Sequence, residues 1–187
     1  MISLTPFSLI DDFDIIFKAY TNDKTQSLIS NRIIVKSKEI FRDWLTFQLQ
    51  NYYHEFKIIN YNDIKIGFCY SYEYTDGTIK TALYVNDDYQ NSGLGVIAEI
   101  TFIDYLLNLY PLRKIYNHVY SYNEQSLTSH LKAGFNTEGK LLEYRYFSGK
   151  YHDVYILSIT REEFYKRYGK LLTDKQKGTD DNANQNT

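Results

Sequence analysis

The segment that decides the fold of this chain is Val85-Asn86-Asp87-Asp88-Tyr89-Gln90-Asn91-Ser92-Gly93-Leu94-Gly95. A strand-like apolar run ends at Val85, a polar turn follows, and two glycines open a long helical pattern. The N-terminus of a helix presents unpaired backbone N–H groups and the positive end of the helix dipole, and glycine lets a ligand approach the backbone closely. The segment therefore predicts an anion site, most naturally for a phosphate or a pyrophosphate.

Two better-known phosphate loops do not fit this segment. A Walker loop needs Gly-Lys followed by Ser or Thr, which is absent here. The run Gly93-Leu94-Gly95-Val96-Ile97-Ala98 matches the dinucleotide fingerprint G-x-G-x-x-A, but that fingerprint follows the first strand of a parallel fold. Here it lies in mid-chain, after an antiparallel hairpin, with too few residues left for a doubly wound sheet. The pattern excludes a nicotinamide or flavin dehydrogenase. The alternative that the glycines serve only tight packing at the start of the helix remains open.

The hydrophobic periodicity on both sides of the loop predicts a mixed α/β fold. Helices are predicted over residues 11–20, 37–51, 93–110, 123–134 and 161–169, and strands over residues 54–59, 64–74, 78–85, 114–121, 135–147 and 152–160. Asp76-Gly77 and Ser148-Gly149-Lys150 are hairpin turns, so the strands beside them are antiparallel. The helical crossover between strands 78–85 and 114–121 makes those two parallel. We therefore expect a largely antiparallel central sheet with one parallel strand–helix–strand unit.

Composition bounds the class of protein. The 187 residues are 43% hydrophobic, which suits a single domain that we place at residues 1–172. Residues 173–187 contain no aromatic or branched aliphatic side chain and are predicted to be a disordered tail. The formal net charge is −2, and no basic stripe is present, so a nucleic-acid partner is not expected.

Cysteine usage and the N-terminus point to the cytoplasm. Cys69 is the single cysteine, which excludes an internal disulfide and a cysteine-based zinc site, and we expect it to be a small core residue. The N-terminus lacks the basic region of a signal peptide, and no apolar run is long enough to span a membrane. We expect a cytoplasmic protein with no membrane partner and no metal.

Three motifs in a fixed order resemble the GNAT superfamily of acyl-CoA N-acyltransferases. Gln90-Asn91-Ser92-Gly93-Leu94-Gly95 resembles the Q/R-x-x-G-x-G/A pyrophosphate loop of that family. Asn123-Glu124-Gln125-Ser126 followed by Lys132-Ala133-Gly134-Phe135 resembles its second signature, and residues 138–159 resemble the closing hairpin of the RimJ/RimL-like branch. The resemblance covers roughly residues 5–165 and is strongest from 83 to 160.

The resemblance implies a GNAT-like fold with acetyl-CoA as co-substrate. It implies that the backbone of Leu83 and Val85 pairs with the pantetheine arm, and that Asn123 contacts this arm from the other side. His130 and Lys132 are implied to lie near the sulfur end of the cleft. The implied pyrophosphate contacts are Gln90, Asn91, Ser92, Gly93, Leu94 and Gly95.

The catalytic residues depart from the pattern of the family. Attack on a thioester needs a neutral amine, so a group that accepts the amine proton is useful. Relatives often place Glu for this purpose where this chain has Lys80, and they place Tyr as the acid where it has His130. We take Glu73 and His54 as candidate bases, with plain solvent exposure as the alternative for both. His130 is the candidate acid for the thiolate, with simple packing against the coenzyme as its alternative.

Other polar and aromatic positions receive structural interpretations. His118 and His152 fall within strands and are interpreted as structural. On the strand that carries Phe68, Tyr72 and Tyr74, we expect Phe68 in the core and leave open whether the tyrosines form a wall for the acceptor.

Three functions are consistent with the sequence. The first is acetylation of a small-molecule amine such as an amino sugar, a polyamine, an amino acid or an antibiotic, by direct attack in a ternary complex. The second is acetylation of a protein N-terminus, and the third is a non-catalytic acyl-CoA-binding module. Either a monomer or a homodimer is expected.

Overall fold

The computed structural model describes residues 1–28 and 37–183, with the backbone alone described for 173–183. The strands are β1 (Ile2–Pro6), β2 (Tyr53–Tyr61), β3 (Ile64–Thr75), β4 (Thr78–Val85), β5 (Lys114–Tyr120), β6 (Asn136–Phe147) and β7 (Lys150–Thr160). The helices are α1 (Phe13–Thr21), α2 (Asp23–Leu28), α3 (Lys38–Asn51), α4 (Leu94–Leu109), α5 (Glu124–Lys132) and α6 (Arg161–Ala183). A single 3-10 turn, Asp87–Tyr89, lies between β4 and α4.

The seven strands form one sheet in the order β1-β2-β3-β4-β5-β7-β6. Every neighbouring pair is antiparallel except β4 and β5, which α4 connects by a crossover. The parallel pair is short, because only Thr78 with Lys114 and Ile79 with Ile115 are in register. The predicted fold class, a largely antiparallel sheet with one parallel unit, is confirmed.

The two faces of the sheet are covered by different helices. On one face α4 inserts Phe102, Ile103 and Leu106 against the strands, and α6 adds Phe164. On the other face α1 and α3 enclose an aromatic cluster of Phe13, Tyr20, Phe41 and Phe68, together with Ile16, Leu45 and Ile58. Cys69 and Phe68 are 0% and 2% exposed, so both are core residues as expected. Apolar residues alternate between these faces along β2 and β3, which is why both layers form.

Three elements differ from the sequence prediction. β1 was not predicted, because five residues ending in Pro6 carry little period-2 signal; β1 lies at the edge of the sheet, where proline is tolerated. α2 was also missed, since none of its residues is buried and it has no apolar stripe. The last helix was predicted to cover residues 161–169, but α6 continues to Ala183 through a polar segment. The side chains of the predicted tail, residues 173–187, lie outside the described residues, and the disorder of that tail stays a prediction.

In the part of the chain that is described, no helix has both the length and the apolar character needed to cross a membrane.

Candidate active site

The central feature of the candidate site is the gap where β4 leaves β5. After Ile79 and Ile115 the two strands no longer pair through their backbones. The side chain of Asn117 bridges them instead: its Oδ1 accepts from the Thr81 N–H at 2.8 Å, and its Nδ2 donates to Thr81 Oγ1 at 2.9 Å. Both residues are buried, so this bridge sets how far the strands separate.

Beyond the bridge, β4 presents backbone to the gap. Because the backbone groups of a strand alternate between its two neighbours, Leu83 and Val85 face the same side as Thr81, which is the side of β5. Asn86 donates its N–H to the Ile66 carbonyl at 2.8 Å, which shows that the even-numbered residues face β3. The backbone N–H and C=O of Leu83, which is predicted to pair with the pantetheine, therefore face β5 beyond the last residues that pair with β4.

The loop after β4 leaves N–H groups bare at the start of α4. Gly93 caps the helix with φ of 83°, a conformation that favours glycine, and its carbonyl accepts the first helical bond from Ile97 at 3.3 Å. Ser92 Oγ accepts from the Leu94 N–H at 3.3 Å. Among the described residues nothing accepts from the N–H groups of Gly95 or Val96. Such a pair of donors at a helix N-terminus suits a phosphate oxygen.

The start of α4 lies directly against the end of β4. A Cβ added to Gly95 would be 3.8 Å from Val85 Cγ2 and would meet no closer atom. The bare N–H groups and the exposed backbone of β4 are thus neighbours, as one extended ligand with an anionic end requires.

Gln90 has a structural role in the loop. Its Nε2 donates to the Val85 carbonyl at 3.1 Å and to Asp87 Oδ1 at 2.7 Å, while its Oε1 accepts from Lys24 Nζ at 3.3 Å. Lys24 comes from α2, which sequence reasoning missed, and it adds a positive charge beside the loop.

α5 reaches the loop from the other side of the gap. Asn123 caps this helix by accepting from the Ser126 N–H at 3.2 Å, and Gln125 Nε2 lies 3.5 Å from Asn91 Oδ1. Asn91 has φ of 60°, which turns the chain toward α5. Lys132 is exposed at the opposite end of α5, so the structure separates it from Asn123 and the loop.

His130 lies at the centre of a buried hydrogen-bond network. Its Nδ1 is 2.8 Å from the Ser126 carbonyl, and its Nε2 is 2.9 Å from Asn117 Nδ2 and 3.2 Å from Glu99 Oε1. A carbonyl only accepts, so Nδ1 carries a hydrogen. Asn117 Nδ2 only donates, because the Thr81 N–H fixes the orientation of the amide, and so Nε2 accepts. This arrangement is that of a neutral imidazole.

Glu99 is a buried carboxyl beside this ring. It is 6% exposed, and burial raises the pKa of its carboxyl, an effect that a charge on His130 opposes. The Glu99 carboxyl thus lies against the same ring nitrogen that faces Asn117. Glu99 was not among the predicted site residues, although a glutamate between Ala98 and Phe102, within the apolar face of the predicted helix, is a signal that could have found it.

The candidate bases are placed differently. Glu73 forms an ion pair with Lys80, the β4 residue that neighbours Thr81, and its own side chain is 55% exposed. Its φ of 51° marks an irregularity in β3 that turns the carboxylate toward β4. His54 is exposed and accepts from the Tyr74 N–H at 3.3 Å, so the structure brings Glu73 rather than His54 to β4.

The remaining histidines occupy two environments. The ring of His118 lies 6.0 Å from that of Tyr116, and partial burial and then the charge of Lys80 lower the pKa of His118. His152 packs against Tyr122, with 4.7 Å between ring centroids. Among the described residues, no three His, Cys, Asp or Glu side chains form a group that could hold a metal.

Comparison with known proteins agrees with this geometry. No protein-family model matches the chain. It is 26% identical over 136 residues, 72% of its length and 77% of the relative, to the SPbeta prophage-derived uncharacterized N-acetyltransferase YokL of Bacillus subtilis (strain 168). This similarity to an N-acetyltransferase agrees with the GNAT-like motifs of the sequence.

Solved structures share the GNAT fold of this chain. The spermidine N-acetyltransferase of Vibrio cholerae, in complex with CoA and spermine, superposes with a TM-score of 0.77 at 19% identity, covering 87% of this chain and 97% of that one. RimL, a ribosomal L7/L12 α-N-protein acetyltransferase in complex with coenzyme A, superposes with a TM-score of 0.73 at 14% identity, covering 85% and 93%.

Proposed function

We propose that this protein is an acyl-CoA-dependent N-acetyltransferase that acetylates a primary amine of a small molecule. The observation that supports it most is the pair of bare N–H groups at Gly95 and Val96, which open beside the unpaired backbone of β4. The curated relative is itself an N-acetyltransferase, and the solved neighbours include acetyltransferases of a polyamine and of a protein N-terminus.

The residues of the loop and of β4 would hold acetyl-CoA. The N–H groups at the start of α4 suit the pyrophosphate, with Lys24 adding charge, and the backbone of Leu83 suits the amides of the pantetheine. Backbone N–H groups of β4 near the thioester would stabilise charge on its oxygen as the amine attacks.

Acetyl transfer forms a bond between the amine nitrogen and the acetyl carbon and breaks the carbon–sulfur bond. One proton leaves the amine, and one proton joins the departing thiolate. Glu73 is the proposed acceptor of the first proton, because it is a carboxylate beside β4. His130 is the proposed source of the second, with the Glu99 carboxyl 3.2 Å from its Nε2.

The loop is tested by a charge placed at Gly95. Gly95→Glu and Gly95→Gln add nearly the same bulk at a position where a side chain has room, and only the first adds a negative charge. We expect Gly95→Glu to weaken acetyl-CoA binding at least about tenfold more than Gly95→Gln, because like charges placed together are strongly unfavourable. Calorimetry measures both affinities. Equal affinities for the two variants would place the pyrophosphate elsewhere.

The reaction is tested by release of free thiol from acetyl-CoA with a panel of amines. Thiol release that requires an amine supports the enzyme. A protein that binds acetyl-CoA and releases no thiol with any amine is a binding module instead.

A further inference from the structure

The sheet face beside the gap, opposite α4, carries cationic and aromatic side chains. Ile79 and Ile115 point into the core under α4, so their neighbours Lys80 and Tyr116 point to the other face. We call this surface the acceptor face. Its members are Tyr72, Lys80, Tyr116, His118, Tyr120 and Arg145.

Contacts between the side chains show that these residues form one surface. Lys80 Nζ lies 5.2 Å from the ring centroid of Tyr116, and Tyr72 is the cross-strand partner of Lys80. Tyr120 and Tyr116 are close enough to Tyr72 to contribute to the raised pKa of its phenol, after burial, Tyr70 and Glu73. Arg145 lies 4.5 Å from the ring centroid of Tyr120 and donates to its hydroxyl at 2.6 Å.

The buried part of the acceptor face carries positive charge, and the negative charge lies nearer the solvent. Lys80 is only 9% exposed, whereas the carboxylate that pairs with it, on Glu73, stands at the solvent edge. A second lysine on the face, Lys114, is ion-paired with Glu138. Both carboxylates are thus already neutralised by a lysine, and the buried ammonium of Lys80 is next to the gap where the amine must react.

A polycation is poorly matched to such a surface. A polyamine would need carboxylates that are not already paired, and it would bring its own ammonium groups against Lys80. An anionic group is better matched, because Lys80 offers a partly desolvated ammonium, and hydrogen bonds between an ammonium and a carboxylate are strong.

We propose that the acceptor is an amine that also carries a carboxylate, as a free amino acid does. This deepens the proposed acetyl transfer and rests on it. The carboxylate of the acceptor takes the place beside Lys80 that Glu73 now holds. Glu73 is thereby released from its ion pair and can accept the proton of the attacking amine, so binding of the right acceptor also frees the base.

The test compares amines that differ only in the carboxylate. Lysine and cadaverine form one such pair, ornithine and putrescine another, and spermidine represents the polyamines. We expect the wild-type protein to favour lysine over cadaverine by about tenfold or more in kcat/KM, measured by thiol release, since a lost charged hydrogen bond costs at least that factor. Equal or better use of cadaverine or spermidine overturns the inference, as does acetylation of a peptide N-terminus in preference to free lysine.

Variants of two lysines identify the group responsible. Lys80→Met should bring the lysine-to-cadaverine ratio close to one, and Lys80→Arg should retain the preference. Lys114→Met is the matched control, because it removes a lysine from the same face and a similar ion pair but lies at the far end of β5. A ratio that Lys80→Met leaves unchanged, or that Lys114→Met lowers equally, overturns the assignment.

Failure of the inference is separable from failure of the proposed function. If no amine releases thiol, the proposed enzyme is wrong, and the inference is then judged by binding of lysine and of cadaverine to the CoA-bound protein in a calorimeter. Tighter binding of lysine supports a carboxylate site, and equal binding overturns it.

Discussion

Gly67 lies on β3 directly against the backbone of β4, and its replacement by alanine tests how the phosphate loop is positioned. A Cβ at this residue would lie 2.0 Å from the Tyr84 carbonyl oxygen and 3.0 Å from Val85 Cα. A carbon and a carbonyl oxygen normally stay about 3.3 Å or more apart, so the strands must separate by over about 1 Å. The neighbouring bond from Asn86 N–H to the Ile66 carbonyl, which begins the loop, lies in the path of that shift.

The expected cost of Gly67→Ala is about 3 kcal/mol, the upper end of what overpacking costs, with part of it due to weakened ladder bonds. In a protein of this size that lowers Tm by roughly 6–12 °C. Acetyl-CoA affinity should fall as well, since the end of β4 carries the loop. Thermal unfolding and calorimetry measure the two effects.

Gly139→Ala is the control, because a Cβ there would meet only Ile156 Cδ1 at 4.0 Å. Equal Tm values for the two variants, or a drop for Gly67→Ala of less than about 2 °C, would show that the close approach is not a constraint.

Three further predictions follow from other contacts. His130→Ala should lower kcat by about a hundredfold with little change in acetyl-CoA affinity, and His130→Tyr, which keeps a proton donor, should restore turnover. Normal thiol release by the alanine variant would refute the acid role. Burial raises the pKa of Tyr20, Tyr53 and Tyr72, so the folded state keeps protons that the unfolded chain loses above pH ~10. The contribution of these tyrosines to the free energy of unfolding should therefore be constant up to that pH and fall above it by up to about 1.4 kcal/mol per pH unit per tyrosine. Urea unfolding measures it, and a flat profile above pH ~10 would contradict the prediction. Arg161 donates to the carbonyls of Leu107, Tyr110 and Leu112 at 2.7, 2.9 and 2.7 Å and so caps the end of α4. Arg161→Ala should lower the free energy of unfolding in urea by about 2–3 kcal/mol, and Arg161→Lys should recover part of that loss. A loss below about 0.5 kcal/mol would contradict the capping role.

The parts of the fold that sequence predicted best are those with local causes. The opening of α4 follows from two glycines after a strand, and the parallel pair follows from the crossover helix. β1 and α2 have no such local cause: β1 is held by its pairing with β2, and α2 has no buried residue. α6 was predicted only as far as its apolar stripe extends.

The candidate site divides in the same way. The backbone donors of the loop could be predicted, since the chemistry of a helix N-terminus is local. The network of Asn117, Glu99 and His130 could not, because its members come from a strand and two helices and meet only in the folded chain. The resemblance identified His130, but the residues that contact it could not be predicted from the sequence. The hydrogen bond from Gln90 to the Val85 carbonyl, which stabilises the loop, likewise depends on the folded structure.

The short register between β4 and β5 has a consequence for stability. Only two residue pairs of β4 and β5 are in register, and the Asn117 side chain joins the two strands beyond them. The coenzyme would bind across this gap, with β4 on one side and α5 on the other, and so would add contacts between the two sides. Each bound molecule therefore opposes unfolding, by about 2.7 kcal/mol when the free ligand is a hundred times its Kd. Resistance to unfolding in the cell then varies with the supply of acetyl-CoA.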